Sequence, residues 1–245
     1  MNNITFNKVG YRKLLVSALK NKYEFVFFNT NSTQEFQCKL RHDVDVNIQL
    51  ALEMAILEAS LGVHSTYFMM LRSPVYNLFS RENDKAIREI IRLGHQIGLH
   101  YDEGFYPKAK SLQTLVDSEV KIISEIFESE IEVVSFHQPS SEIISGIKTI
   151  SNFKNTYSLA DMNNFHYLSD SNKVWKENPL DCFEHKTYSK IQLLIHPIWW
   201  MAEIEKSTER LWSEALIKNF EVTQEQLLST ERAYGEKKIM ILKSV

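Results

Sequence analysis

Four apolar segments of this chain stop at residues that bind metals or move protons. Residues 39–45 read KLRHDVD, 96–100 QIGLH, 133–137 VVSFH and 193–196 LLIH. A single histidine at the end of a strand is more often a hydrogen-bonded structural residue than a ligand. Four segments ending alike point to one site, lined by Asp43, Asp45, His100, His137 and His196. Imidazole and carboxylate are donor groups of divalent metal centres, and both serve as acids and bases in catalysis.

The first segment has a geometry of its own. In an extended strand residues two apart share a face, so Asp43 and Asp45 point one way and His42 and Val44 the other. Two carboxylates this close do not both stay ionised without a cation beside them. The pair therefore supplies one ligand and one base around a metal. Asp45 has a second role open to it, as cap of the helix that begins near Asn47. That role would leave Asp43 unexplained.

The elements that position these residues alternate. Ile48, Leu52, Ala55, Ile56 and Ala59 form one helical face, and Ile87, Ile90 and Ile91 form another, with Asn83 or Asp84 as N-cap and Gly94 as the stop. Leu112, Val116, Val120, Ile123 and Phe127 make a third stripe; Trp212, Leu216, Phe220 and Leu227 make a fourth. Between them lie nearly continuous apolar runs of strand length, from Val63, through QIGLH, IEVVSFH and IQLLIH, to KIMIL near the C-terminus. Strands separated by helices imply a parallel sheet covered on both faces, and in such folds sites gather at the carboxyl ends of the strands.

Composition narrows the function class. The chain has 245 residues, 44% hydrophobic and 24% charged, with a formal net charge of −3; one α/β barrel domain over residues 1–245 accounts for that length. No basic block points to nucleic acid. No apolar stretch is long enough to span a bilayer, and the N-terminus lacks the pattern of a signal peptide. Cys38 and Cys182 read as buried thiols in a reducing compartment, and the default location is the cytoplasm.

The order RHDVD, HSTYFMM, GHQIGLHYD, SFHQPS and LLIHPIWW resembles the NodB-type polysaccharide deacetylases. It is most similar to a branch with a His-Asp-Val-Asp first motif associated with bacterial surface-polysaccharide loci. The resemblance covers about residues 38–200. It implies a distorted (β/α) barrel of about seven strands that hydrolyses the N-acetyl group of an amino sugar or glycan with one divalent ion, zinc first. Carried over, it makes Asp43 the general base, Asp45 and His100 metal ligands, and His196 the general acid. Asp170, in YLSDSNKVW, matches an aspartate that orients an active-site group.

Two departures stand out. The family's first motif usually has adjacent aspartates, and here Val44 intervenes. Its second metal histidine lies four residues after the first, where this chain has Gly104. A catalytic zinc usually takes three protein ligands and water, so the third falls to His137 or to Asp102. We favour His137, which ends a strand, whereas Asp102 follows His100 by only two residues. Phe136–His137–Gln138–Pro139 also sits where the family commonly has an arginine, so His137 has that role open as well. Trp199 and Trp200 read as core or as a wall of the sugar pocket. His95 reads as structural, and His64 as lying on the far, stability side of the barrel. Two other functions stay open: a non-catalytic glycan-binding barrel with part of its metal site lost, and a hydrolase of a different non-peptide C–N bond.

Overall fold

The computed structural model describes residues 4–105 and 111–232. Its strands are β1 (Glu24–Phe25), β2 (Gln37–Val44), β3 (Thr66–Met69), β4 (Gln96–Asp102), β5 (Val133–His137), β6 (Lys154–Asn155), β7 (His166–Ser169) and β8 (Lys190–Ile195). They form one sheet in the order β6-β5-β4-β3-β2-β8-β7, with β1 added beside β2. Every pairing is parallel. Taken around a circle, that order is the chain order. Only β6 and β7 fail to pair, so the sheet is a distorted (β/α) barrel open at one seam.

Side chains bridge the seam where the backbone ladder is missing. Gln192 Nε2 on β8 donates to the carbonyl of Thr156 at 3.2 Å, and Arg41 on β2 donates to the Tyr157 hydroxyl at 2.9 Å. Lys39 reaches Asp161. All three donors point into the barrel. On β2, Lys39, Arg41 and Asp43 alternate with Cys38, Leu40 and Val44, which join the main core under the helices. The interior carries a separate small apolar cluster of Phe28, Phe68 and Val133. Gly98 on β4 is required there, because a Cβ would sit 2.6 Å from the Phe68 ring and 2.9 Å from the Val133 carbonyl.

The helices are α1 (Lys8–Lys20), α2 (Ile48–Ala59), α3 (Arg81–Arg92), α4 (Leu112–Phe127), α5 (Ser141–Ile144), α6 (Leu159–Asn164), α7 (Pro179–Glu184), α8 (Pro197–Trp200) and α9 (Thr208–Thr230). Asn47 caps α2, accepting from the Leu50 amide at 2.7 Å, so Asp45 is not the cap. Helix α3 begins at Arg81 with Ser80 at the cap position, ahead of both Asn83 and Asp84, and Glu82 and Asp84 suit its first turn. Gly94 ends it with φ +90°, a conformation open to glycine.

The last helix overturns an expectation. Trp212, Leu216, Phe220 and Leu227 face solvent, while Leu211 and Ala215 are buried. Asn219 fixes that orientation: its Nδ2 donates to the Val46 and Val75 carbonyls, and its Oδ1 accepts from Asn47 at 2.6 Å. The KIMIL segment lies outside the described residues. Among those described, no helix is long and apolar enough to cross a membrane. Both cysteines are free and buried.

A polar knot lies on the outer side of β2. Glu58 of α2 is fully buried, 2.8 Å from His42 Nε2, and accepts from Ser65 at 2.6 Å and Tyr67 at 3.0 Å, with Tyr11 also donating to it. His95 joins through Ser65, and its Nε2 donates to the Ala55 carbonyl, 3.1 Å away. It is structural, as the sequence suggests. His64 precedes β3 at the end of the barrel away from the site.

Candidate metal centre

Three ligating atoms converge where β2, β4 and β5 end. His100 Nε2 lies 3.0 Å from Asp45 Oδ1, His137 Nδ1 lies 3.3 Å from the same oxygen, and the two nitrogens are 3.3 Å apart. The strand register pairs His100 with Ser135 and Asp102 with His137, so His137 stands one inward step beyond His100 on the neighbouring strand, within reach of its Nε2. Asp45 follows the end of β2 on the face that Asp43 occupies.

The residues present fit a divalent ion. A tetrahedral ion holding nitrogen and oxygen at about 2.0–2.1 Å spaces its ligands by about 3.3 Å, which is the size of this triangle. Asp45 Oδ1 is buried and receives no well-formed hydrogen bond despite the two nitrogens beside it. Burial opposes ionisation of Asp45, but the His100 ring and then the His137 ring beside it hold its carboxyl well below the usual range. The Asp45 carboxylate beside it raises His137, with burial acting against it.

Asp43 is tied differently. Arg41 grips it in a fork, Nε to Oδ1 at 2.9 Å and Nη2 to Oδ2 at 2.7 Å. Burial works against the Asp43 charge, but the Arg41 guanidinium together with His100 and His196 outweighs it, so the carboxyl sits below its ordinary value. Its Oδ2 is 3.8 Å from His100 Nε2, close to the triangle.

His196 completes the mouth from β8. Its Nδ1 is 2.5 Å from Asp170 Oδ1, and its amide also donates to both Asp170 oxygens. Its Nε2 faces Asp45 Oδ2 at 3.8 Å. Burial would lower its pKa, but the Asp170 charge and hydrogen bond push it up to about 9. Asp170 is fully buried and takes a further bond from Trp200 Nε1 at 2.7 Å.

The structure thus brings together Asp43, Asp45, His100, His137, His196 and Asp170. Asp102 stays out of the triangle; its Oδ1 accepts from the Gly104 amide at 2.9 Å, closing the turn after β4. Trp200 is not a pocket wall. It is fully buried among Phe6, Tyr11 and Trp175 and supports Asp170 instead. Trp199 is core as well, 6% exposed. The sequence reading missed Arg41 and Ser135. The signal that finds them is period two: Arg41 shares a face with Asp43, and Ser135 with His137.

No family model and no curated protein matches the sequence. Solved structures show partial likeness to this chain. One is the Bacillus anthracis protein BA3943, described as a CE4 family pseudoenzyme, 12% identical, covering 78% of this chain with a TM-score of 0.45. This chain spans 62% of that one. Another is the Xyl-CE4 domain of a multidomain xylanase from the hindgut metagenome of Trinervitermes trinervoides, 11% identical, covering 79% of this chain and 85% of its own, TM-score 0.45. A family 4 carbohydrate esterase from Bacillus anthracis is 13% identical, covering 86% and 85%, TM-score 0.43.

Proposed function

We propose that this chain is a divalent-metal-dependent hydrolase that removes the N-acetyl group from an amino sugar or glycan. The observation that carries the reading is the Asp45–His100–His137 triangle, sized for a small ion, with Asp43 and His196 on either side. Zinc suits the two imidazoles and one carboxylate. When bound, the ion supplies a Lewis acid and an acidified water.

The chain's own residues supply the rest. Asp43, held ionised by Arg41, takes the proton of the attacking water at Oδ2, the oxygen nearer the triangle. His196 carries a proton at neutral pH, with Nδ1 on Asp170 and Nε2 turned to the site. It delivers the Nε2 proton to the departing nitrogen, which is otherwise a very poor leaving group. Water adds across the amide C–N bond, and the products are acetate and a free amine. A place in surface-polysaccharide biosynthesis rests on the motif resemblance alone.

Acetate release tests the reading. The purified chain is loaded with zinc, manganese or cobalt and offered free, nucleotide-linked and lipid-linked N-acetyl sugars. Metal-dependent acetate from one class supports a deacetylase. No acetate from any class, with the ion bound, leaves a glycan-binding barrel or a hydrolase of another C–N bond.

A further inference from the structure

Ser135 is fully buried on β5, and its hydroxyl touches three polar groups. Arg41 Nη2 donates to it at 2.6 Å, His100 Nδ1 lies 2.9 Å away, and Asp43 Oδ1 lies 3.3 Å away. A hydroxyl has one proton and two lone pairs. Arg41 can only donate, and ionised Asp43 can only accept. The single Ser135 proton therefore goes either to Asp43 or to His100 Nδ1.

The two arrangements differ in what they leave on His100. If the hydroxyl donates to His100, the ring hydrogen moves to Nε2, aimed towards Asp45 Oδ1. That oxygen receives no well-formed hydrogen bond, so this tautomer gains only the 3.3 Å contact to His137 Nδ1. If the hydroxyl donates to Asp43, His100 Nδ1 carries the hydrogen and donates to Ser135. Both lone pairs of the hydroxyl are then used, by Arg41 and His100, and Nε2 is bare towards Asp45 and His137.

We propose that Ser135 is the positioning residue of this centre: it locks His100 as the Nδ1–H tautomer and couples it to the Arg41–Asp43 pair, so that Nε2 is presented to a divalent cation. The proposal rests on the metal reading above. Partners that hold a ligating histidine in one tautomer commonly matter about 10–100-fold in metal affinity.

The test uses the full chain labelled with ¹⁵N-histidine, metal-free, at a pH where the imidazoles are neutral, with His100→Gln identifying the resonance. Wild type is expected to show the Nδ1–H form at His100. Ser135→Ala is expected to move it towards Nε2–H and to weaken zinc binding, by competition titration, about tenfold or more. Ser135→Thr keeps the hydroxyl and should stay near wild type in both. A wild-type His100 in the Nε2–H form overturns the proposal without any variant. So does Ser135→Ala with an unchanged tautomer, or with zinc affinity within about twofold of wild type; a role in stability alone would lower only its melting temperature. Should wild type bind no divalent ion, the metal reading falls, and the proposal's coupling to a cation falls with it. The tautomer would still report whether Ser135 sets His100.

Discussion

Arg41 and Asp43 stand two residues apart on β2 and meet inside the barrel in a two-pronged ion pair, with side chains 0% and 4% exposed. The fork fixes both carboxylate oxygens, so Asp43 can neither rotate nor readily take up a proton from bulk water. It also explains His137. The guanidinium beside Asp43 comes from its own strand, which leaves His137 free to face Asp45 and His100.

Asp43→Asn should therefore do two things. Loss of the base lowers turnover by ~10²–10⁴. It also leaves Arg41 buried without its counter-charge, which typically costs about 3–5 kcal/mol. Replacing both residues by apolar ones, Arg41→Met with Asp43→Leu, should recover part of the stability and none of the turnover. Urea unfolding beside acetate release measures both; a single Asp43→Asn variant as stable and active as wild type would refute the role.

The third ligand is separable by substitution. His137→Gln should lower zinc affinity, because it removes one corner of the triangle. Asp102→Asn should leave it near wild type, since its oxygen serves the Gly104 amide and an asparagine carbonyl can still accept that bond. Metal titration of the two variants side by side decides the point. Loss of the ion in Asp102→Asn with retention in His137→Gln would reverse the assignment.

Much of this site was legible because parallel strands buried on both faces read as apolar runs, and a polar residue at such an end stands out. β2, β4, β5 and β8 are of that kind. Helices α5 and α6, with four and six residues, are too short to show a period. In α9 the period was right and the face wrong, because a stripe does not say which side docks; Asn219 and its three hydrogen bonds decide that. Arg41 and Ser135 sat inside quoted segments, yet a charge or hydroxyl within an apolar run carries no meaning until its face is assigned.

Acid should expose the Glu58 knot. Burial pushes this carboxyl up, but His42, His95 and the Ser65 hydroxyl together bring it down to about 2, from an ordinary 4.5. A depressed carboxylate contributes stability that is fully present above 4.5 and lost as pH falls through about 2. The shift corresponds to about 3 kcal/mol. Wild type should lose stability across that window, and Glu58→Gln should be less stable at neutral pH with a flatter acid profile. Parallel profiles for the two, by urea unfolding between pH 5 and 2, would remove Glu58 as the cause.

His196 gives the opposite sign. Its pKa is raised to about 9 from 6.5; burial opposes the rise, and the charge and hydrogen bond of Asp170 drive it. A raised histidine contributes stability that is fully present below 6.5 and lost as pH climbs through about 9. Its protonated form is also the form that can serve the leaving nitrogen, so the same group sets an alkaline limit on turnover. Asp170→Asn removes the charge while keeping an oxygen that can accept from the His196 amide. That variant should titrate His196 well below wild type, flatten the alkaline stability profile and bring the alkaline limit of turnover down. NMR titration of the metal-free chain reads the first effect apart from any bound cation, which would itself repel a proton on His196. An unchanged His196 titration in Asp170→Asn would mean that Asp170 only braces the strand end together with Trp200, and the general-acid role would lose its electrostatic basis.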